Sequence, residues 1–297
     1  MVAILSESLK TSTRQIEAEP MNPAADPIPA ILESEATGEI REIYQDIKAI
    51  TGVDIVNLVW RRLAVTPGAL PAVWNMVRPI YVSGRVSAEA QAFRRHLRPP
   101  QLPLIPKAAL AAAGVDRLGQ LSIRAILDSY DRTNAMNLIG LSAVLARLDA
   151  AEGVPGAPPK PMQEPPLPGL PPLPALTALD PPIRNLVDML NAICEEDGRV
   201  IASMYRHLAY WPGYLALSWT LLAPIANDGR MQAVINDARQ QSTARARAIA
   251  AELDPLDGSL NQAVIDDIRE VLTLFTQHPI SKMVAICRAL ASATPAP

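Results

Sequence analysis

An internal duplication constrains the fold of this chain more than any other feature. The segments NLVWRRLAVTPGALPAVW (57–74) and ASMYRHLAYWPGYLALSW (202–219) share residues at a constant separation of 145 positions. The same separation joins Pro79 to Pro224, Gly84-Arg85 to Gly229-Arg230, and IRAILDSY (123–130) to IREVLTLF (268–275). Upstream, IREIYQDIKAI (40–50) and IRNLVDMLNAI (183–193) are 143 positions apart, which a two-residue insertion near Asp197-Gly198 explains. A unit of about 110 residues is too long for a solenoid repeat, so the sequence predicts two homologous half-molecules.

The repeated segments have a helical pattern. Ile40, Ile43, Ile47 and Ile50 recur at spacings of three and four, which is typical of one apolar helix face. Aromatic residues make up only 4% of the chain and β-branched runs are few, so an all-α fold is predicted. Further helices are expected at 88–97, 107–113, 116–129 and 135–151, and the second half should repeat them from Asp180 to about Ala293.

Composition divides the chain into five parts. Twelve prolines lie between Pro155 and Pro182, which predicts a stiff, extended linker. We expect a mobile segment at 1–34, a first helical repeat at 35–152, the proline-rich linker at 153–182, a second repeat at 183–292 and a tail at 293–297. The repeats should pack as a pseudo-dimer with a pocket between them. An alternative is that the linker binds a proline-recognition domain, and translation from Met21 rather than Met1 also stays open.

Charge and residue content exclude several classes of function. The net charge is only −3 and the basic residues are scattered, so no nucleic acid partner is expected. The two cysteines, Cys194 and Cys287, lie in no metal-binding or cofactor motif, and neither a metal nor a cofactor is predicted. The first twenty residues lack the apolar core of a signal peptide. Segment 208–227 is uncharged but contains Pro212 and Pro224, so no membrane span is expected and a cytoplasmic location is predicted, with homodimerisation left open.

The repeated motifs resemble those of the DehI-type (group I) 2-haloacid dehalogenases. The resemblance covers about residues 35 to 292 and rests on ATGEIREIYQDIKAITGV with RRLAVTPGALPAVW in the first half, and on RHLAYWPGYLALSW with LLAPIA in the second. It implies an all-α pseudo-dimer whose active site lies between the repeats. It also implies hydrolysis of 2-halocarboxylic acids by a water that an aspartate activates, without a covalent intermediate.

The same resemblance assigns the residues of the site. It places the aspartate at Met204, which cannot accept a proton, and no acidic residue lies between Asp197 and Asp228. Ser203 and Tyr205 flank this position, and Asn134 matches an asparagine that positions water or substrate. The remaining members of the expected small-carboxylic-acid site are Ile55 and Leu58, where the family has aromatic residues, and Phe275.

Two functions therefore remain open. The chain either acts on a small carboxylic acid, with another base, for which His207 is a candidate, or with changed chemistry, or it is a non-catalytic homologue that binds such an acid or has a structural role. Because the position equivalent to His207 is Arg62, His207 is expected to face solvent or an ion pair. Asp131 and Arg132 are expected to pair with each other on the surface, the alternative being that they bind a carboxylate substrate. Asn134 is expected to cap a helix or contact the ligand. Core packing is expected for Tyr205 and the four tryptophans, Trp60, Trp74, Trp211 and Trp219.

Overall fold

A computed structural model describes residues 27–151, 156–195 and 198–296, and all regular structure in these ranges is helical. The helices of the first half are α1 Gly38–Thr51, α2 Leu58–Leu63, α3 Ala69–Val82, α4 Arg85–His96, α5 Lys107–Ala112 and α6 Arg117–Leu148. A 3-10 turn, Leu176–Ala178, precedes α7 Pro181–Asn191, α8 Ser203–Leu208, α9 Pro212–Ala226, α10 Arg230–Ala250, α11 Gln262–Gln277 and α12 Pro279–Ala293. The prediction of an all-α fold is confirmed.

Helix boundaries follow the separation of 145 seen in the sequence. Helices α2 and α8 both begin and end at equivalent positions, as do the starts of α4 and α10. The N-cap of α6 is Asp116, whose carboxylate accepts from the amide of Gly119 at 2.7 Å. The equivalent Asn261 caps α11 by accepting from the amide of Val264 at 3.0 Å. The two halves therefore use equivalent residues to start equivalent helices.

Helix α6 corrects one expectation about the first half. Two helices were predicted at 116–129 and 135–151, but Arg117–Leu148 is a single helix that continues through Asn134. Its equivalent range in the second half is divided into α11 and α12 at His278. Pro279 is the residue equivalent to Asn134, and a proline has no amide proton for helix continuation.

The apolar residues form two cores, and α6 contributes to both. Its C-terminal part, including Ile139 and Val144, packs with α1–α4 and with α11 of the second half. Its N-terminal part, including Ile123 and Leu127, packs with α7–α9 and α12. Helix α6 packs most extensively against α10 and α12, so the two halves of the sequence are joined through this helix. The pseudo-twofold relation of the repeats stays a prediction.

Three further expectations, about the N-terminal segment, the linker and a membrane span, can be set beside the structure. Residues 1–26 of the expected mobile segment lie outside the described ranges. In the remainder of that segment, Ile28 is buried and the Ile31 amide donates to the Arg61 carbonyl at 3.1 Å. Residues 156–175 of the linker have no regular secondary structure, and α7 already begins at Pro181. None of the described helices is long and apolar enough to cross a membrane.

The linker is fastened to the helices at both ends. Gln91 on α4 exchanges two hydrogen bonds with the backbone of Met162, at 2.9 and 2.8 Å. Further along, the carbonyls of Pro171, Pro172 and Pro174 accept from His207, Tyr210 and Arg206, respectively. Prolines supply carbonyl acceptors but no amide donors, so the side chains of α8 and the residues just after it provide the donors.

Candidate functional site

A small cavity lies where α2, α6, α8, α11 and α12 meet. Its volume is about 40 Å³, enough for about three water-sized groups. Residues of both sequence halves line it, and five pairs among them are equivalent by the separation of 145: Asn57 and Ala202, Leu58 and Ser203, Val59 and Met204, Tyr130 and Phe275, and Asn134 and Pro279. Val200, Ile280 and Met283 complete the lining. The duplication therefore supplies both walls of this cavity.

Five of the predicted site residues line the small cavity: Leu58, Asn134, Ser203, Met204 and Phe275. Two others do not. Tyr205 is fully buried in the core of the second half, in agreement with the core packing that was also expected for it. Ile55 lines a second, larger cavity. The sequence did not single out Asn57, which lines the small cavity and donates to the Thr133 hydroxyl at 3.2 Å.

Met204 is buried and lies against a cysteine. The Cys287 thiol is 3.2 Å from the Met204 sulfur, and the Asn134 side-chain amide is 3.9 Å from the same thiol. Burial raises the pKa of the Cys287 thiol well above its ordinary value, so this group is neutral near pH 7 and is a poor nucleophile. The surroundings of Met204 thus contain soft, uncharged groups in place of a base.

Ser203 connects the small cavity to a buried arginine. Its hydroxyl oxygen accepts from Nη2 of Arg61 at 3.2 Å, and the Nε of Arg61 donates to the Val56 carbonyl at 3.1 Å. Because the serine oxygen accepts from a cation, its own proton is available for a neighbouring acceptor. Burial raises the pKa of Tyr130, and the positive charges of Arg61 and Arg206 oppose this shift only in part.

His207 is buried, which contradicts the expectation that it faces solvent. Its Nε2 lies 3.0 Å from the Pro171 carbonyl, which can only accept, so Nε2 carries the proton. Nδ1 therefore accepts from the Tyr130 hydroxyl at 2.8 Å. Burial lowers the pKa of His207 to about 4, and the positive charges of Arg206 and Arg61 add to this shift, so the ring is neutral at pH 7.

The larger cavity has a volume of about 360 Å³ and lies between the linker and α2 and α8. His207, Arg61 and Arg206 line it, together with linker residues from Leu170 to Ala175. Tyr130 lines both cavities. The candidate base His207 is thus separated from the small cavity by the Tyr130 ring, and both of its ring nitrogens are already hydrogen-bonded.

Asp131 and Arg132 do not form the expected surface pair. Asp131 is buried and accepts from Arg94 at 2.6 Å and from Arg288 at 3.3 Å. Arg132 lies 3.8 Å from Glu164 of the linker instead. Helical geometry explains the difference, because adjacent residues on α6 point in directions about 100° apart. The carboxylate of Asp131 is therefore occupied by two arginines and does not line the small cavity.

All four tryptophans were expected to pack in the core, but only two of them are buried and the other two are half-buried. Trp60 and Trp74 are buried, with ring centroids 5.5 Å apart in an edge-to-face arrangement. Trp211 and Trp219 are half-buried against the core of the second half. Among the described residues, no group of three or more His, Cys, Asp or Glu side chains is placed to hold a metal ion.

Solved structures provide the comparison with known proteins. No protein-family model and no curated protein matches the chain. A crystal structure of a D-2-haloacid dehalogenase mutant superposes with a TM-score of 0.72 at 20% identity, covering 90% of this chain and 96% of that one. The complex of a D-2-haloacid dehalogenase with L-LA gives a TM-score of 0.71 at 21% identity, covering 90% and 96%. The complex of a mutant with D-2-CPA gives 0.68 at 20%, covering 91% and 96%. The chain therefore has the fold of the D-2-haloacid dehalogenase structures, as the sequence resemblance implied.

Proposed function

We propose that this chain binds a two- or three-carbon carboxylic acid in the small cavity and does not dehalogenate it through a carboxylate-activated water. One observation carries the proposal. Among the described residues that line the cavity there is no Asp, Glu, His, Lys or Arg, and Met204 stands where the resemblance places the aspartate. A thioether cannot take a proton from water, so the cavity lacks the general base that this reaction requires.

The polar groups of the cavity suit a carboxylate. Within the described ranges the Asn134 amide has only a long contact to the Cys287 sulfur, so it can donate to a ligand oxygen. Ser203 can donate its proton from the opposite wall, with the charge of Arg61 directly behind it. Leu58, Met204 and Phe275 supply an apolar surface for the remainder of the ligand. A few precisely placed polar groups in an apolar lining are typical of small-molecule sites.

The size of the cavity limits the ligand. The small volume of about 40 Å³ favours the shortest carboxylic acids, of acetate or propionate size, over longer chains. The neighbouring structures are described as D-2-haloacid dehalogenases, and one contains D-2-CPA. Their fold is the reason to test 2-haloacids first, while the absence of a base in the lining is the reason to expect binding without turnover.

Calorimetric titration of the purified chain with acetate, propionate and both enantiomers of 2-chloropropionate tests binding, and ion chromatography of released chloride tests turnover. We expect binding of at least one acid, no chloride above the uncatalysed rate, and loss of binding in Asn134→Leu. The matched control is Asn236→Leu, which changes an exposed asparagine on α10 and should bind normally. No binding of any acid, or equal binding in both variants, contradicts the proposal.

A second candidate is catalysis with a different base, and the hydrogen bond between Tyr130 and His207 favours it. Tyr130 lines the small cavity, and its hydroxyl donates to Nδ1 of His207 at 2.8 Å. A water in the cavity could lose its proton to the Tyr130 oxygen as the phenol proton moves to His207, although the pKa of about 4 makes His207 a weak base. Chloride release by the wild type that disappears in His207→Gln would favour this candidate.

A further inference from the structure

We propose that the larger cavity is a second binding site, which takes a carboxylic acid with an apolar body of about six to ten carbons. Its carboxylate would pair with the guanidinium of Arg61. The site differs from the small cavity in volume and in charge, and the linker takes the place of α11 and α12 in its lining. The proposed function does not require it to be occupied.

Arg61 is a buried cation without a carboxylate partner. Its side chain is 3% exposed, and its hydrogen bonds within the described ranges go to the Val56 carbonyl and the Ser203 hydroxyl, both neutral. Nη1 has no hydrogen bond to any described residue, and Arg61 lines the larger cavity. A buried charge costs several kcal/mol unless an opposite charge compensates it. A bound carboxylate would provide that charge, because a guanidinium pairs with carboxylates through two parallel hydrogen bonds.

The duplication brings a second arginine to the same cavity. Arg206 is the residue equivalent to Arg61, is 3% exposed, and also lines the cavity. Its Nε and Nη2 donate to the Pro174 carbonyl at 2.9 and 2.7 Å, so the linker fixes its position. The acids at the cavity, Glu33 and Asp54, both pair with Lys48, at 3.0 and 3.2 Å. The lining therefore carries three cations and two carboxylates, with His207 neutral, and its net charge favours an anion.

The rest of the lining selects the body of the ligand. Ile55, Val56, Leu170 and Leu173 contribute apolar side chains, and Pro171 and Pro172 add rigid apolar rings. The volume of about 360 Å³ falls within the range of small-molecule sites. Tyr130 and His207 hydrogen-bond each other, so they leave little polar capacity for a highly hydroxylated ligand. A monocarboxylate with an aliphatic or aromatic body fits this combination better than an inorganic anion.

The test is calorimetric titration with octanoate, which is too long for the small cavity. We expect one octanoate per chain, no binding of octylamine, and at least tenfold weaker binding of octan-1-ol. Octan-1-ol that binds as tightly as octanoate overturns the role of charge. Inorganic phosphate that binds more tightly than octanoate overturns the choice of an apolar acid.

Arg61→Met should weaken octanoate binding at least tenfold. The matched control is Arg62→Met, which removes the same charge from the next position of α2, where the guanidinium pairs with Asp267 at 2.7 Å. Octanoate binding that survives in Arg61→Met, or that is lost equally in Arg62→Met, overturns the proposal.

A second variant keeps the test decisive if Arg61→Met does not fold. Leu173→Trp changes a half-buried linker residue and fills the cavity while Arg61 stays in place. We expect this variant to lose octanoate binding and to retain binding of acetate-sized acids in the small cavity. Unchanged octanoate affinity in Leu173→Trp would show that octanoate does not bind in the larger cavity, which overturns the proposal.

Discussion

Asn134 and Pro279 occupy equivalent positions 145 residues apart, and both line the small cavity. In the first half the helix continues through Asn134, whose amide is directed toward Cys287. In the second half the helix is broken immediately before Pro279, so this wall offers an apolar ring instead of an amide. The duplication has thus placed an amide and an apolar ring at equivalent points of the cavity lining. Such asymmetry would give a ligand with a carboxylate end and an apolar end a single orientation.

The first prediction concerns Met204→Asp. Placing a carboxylate at this position should produce chloride release from 2-chloropropionate, because the side chain lines the small cavity together with Asn134. Ion chromatography after incubation with each enantiomer measures the effect. We expect an increase of at least tenfold over the wild type, since positioned general bases contribute about a hundredfold or more.

Met283→Asp is the control for this experiment. Met283 also lines the small cavity and is also buried, so its replacement imposes a similar desolvation cost. It should remain inactive because the resemblance places no base there. A folded, monodisperse Met204→Asp protein that releases no chloride would contradict the assignment of the water-activating aspartate to this position.

The second prediction concerns His207 and the dependence of stability on pH. The pKa of His207 is about 4 in the folded chain and about 6.5 in an unfolded chain. Between these values the unfolded state binds more protons, so stability falls as the pH is lowered from about 6.5 to 4. The full loss from this group is about 3 kcal/mol for a shift of this size.

His207→Gln should remove this part of the pH dependence. A glutamine can still donate to the Pro171 carbonyl and accept from Tyr130, but it does not titrate. Urea unfolding at pH 7 and pH 4.5 gives the difference for each protein. The exposed His96 provides the control, because His96→Gln should keep the wild-type slope. Equal slopes for the wild type and His207→Gln would show that the histidine is not held neutral.

The third prediction concerns a buried asparagine in the first core. Oδ1 of Asn137 accepts from the Trp60 indole at 3.1 Å and lies 3.2 Å from the Tyr81 hydroxyl. Tyr81 has the Met136 carbonyl as another acceptor at 3.2 Å, but Trp60 has no second one among the described residues. Asn137→Leu would therefore leave the indole proton unsatisfied and should cost about 2 kcal/mol.

Chemical denaturation measures this cost as a change in the free energy of unfolding. Trp60→Phe removes the donor that would be left unsatisfied, so the cost of Asn137→Leu should shrink by about 1 kcal/mol in that background. A cost below about 0.5 kcal/mol in the wild-type background would indicate that the indole finds another partner.

The sequence predicted the fold well because the duplication and the apolar spacing are both visible in a single chain. The separation of 145 relates the starts of α8 and α10 to those of α2 and α4, and the spacing of Ile43 and Ile47 anticipated the buried face of α1. The residues 131–134 were read as a boundary between helices, since Asn and Thr favour caps. Tertiary packing overrides that preference, because both parts of α6 are buried along their length.

The site was predicted only in part, for a physical reason. Position along the chain identifies equivalent residues, but it does not report which cavity a side chain faces. Ile55 and Leu58 are three residues apart and line different cavities, since α2 begins only at Leu58. The linker was interpreted as a spacer, because nothing in its pattern of prolines indicates that its carbonyls accept hydrogen bonds from Arg206 and His207. Contacts of this kind depend on chain folding across more than thirty residues.

The last prediction concerns Gly213, where α9 begins beside the end of α5. A Cβ at this position would lie 2.1 Å from the Ala113 carbonyl oxygen, which belongs to the backbone and cannot rotate away. Gly213→Ala must therefore separate α9 from α5 and should destabilise the chain by about 2 kcal/mol or more, within the range for overpacking. The equivalent Gly68 needs glycine for a different reason, its φ of +83°. Gly258→Ala is the control, since no atom lies within 4 Å of its Cβ position. Thermal unfolding of both variants gives the comparison, and a Gly213→Ala protein as stable as Gly258→Ala would show that the two helices are not in contact at this point.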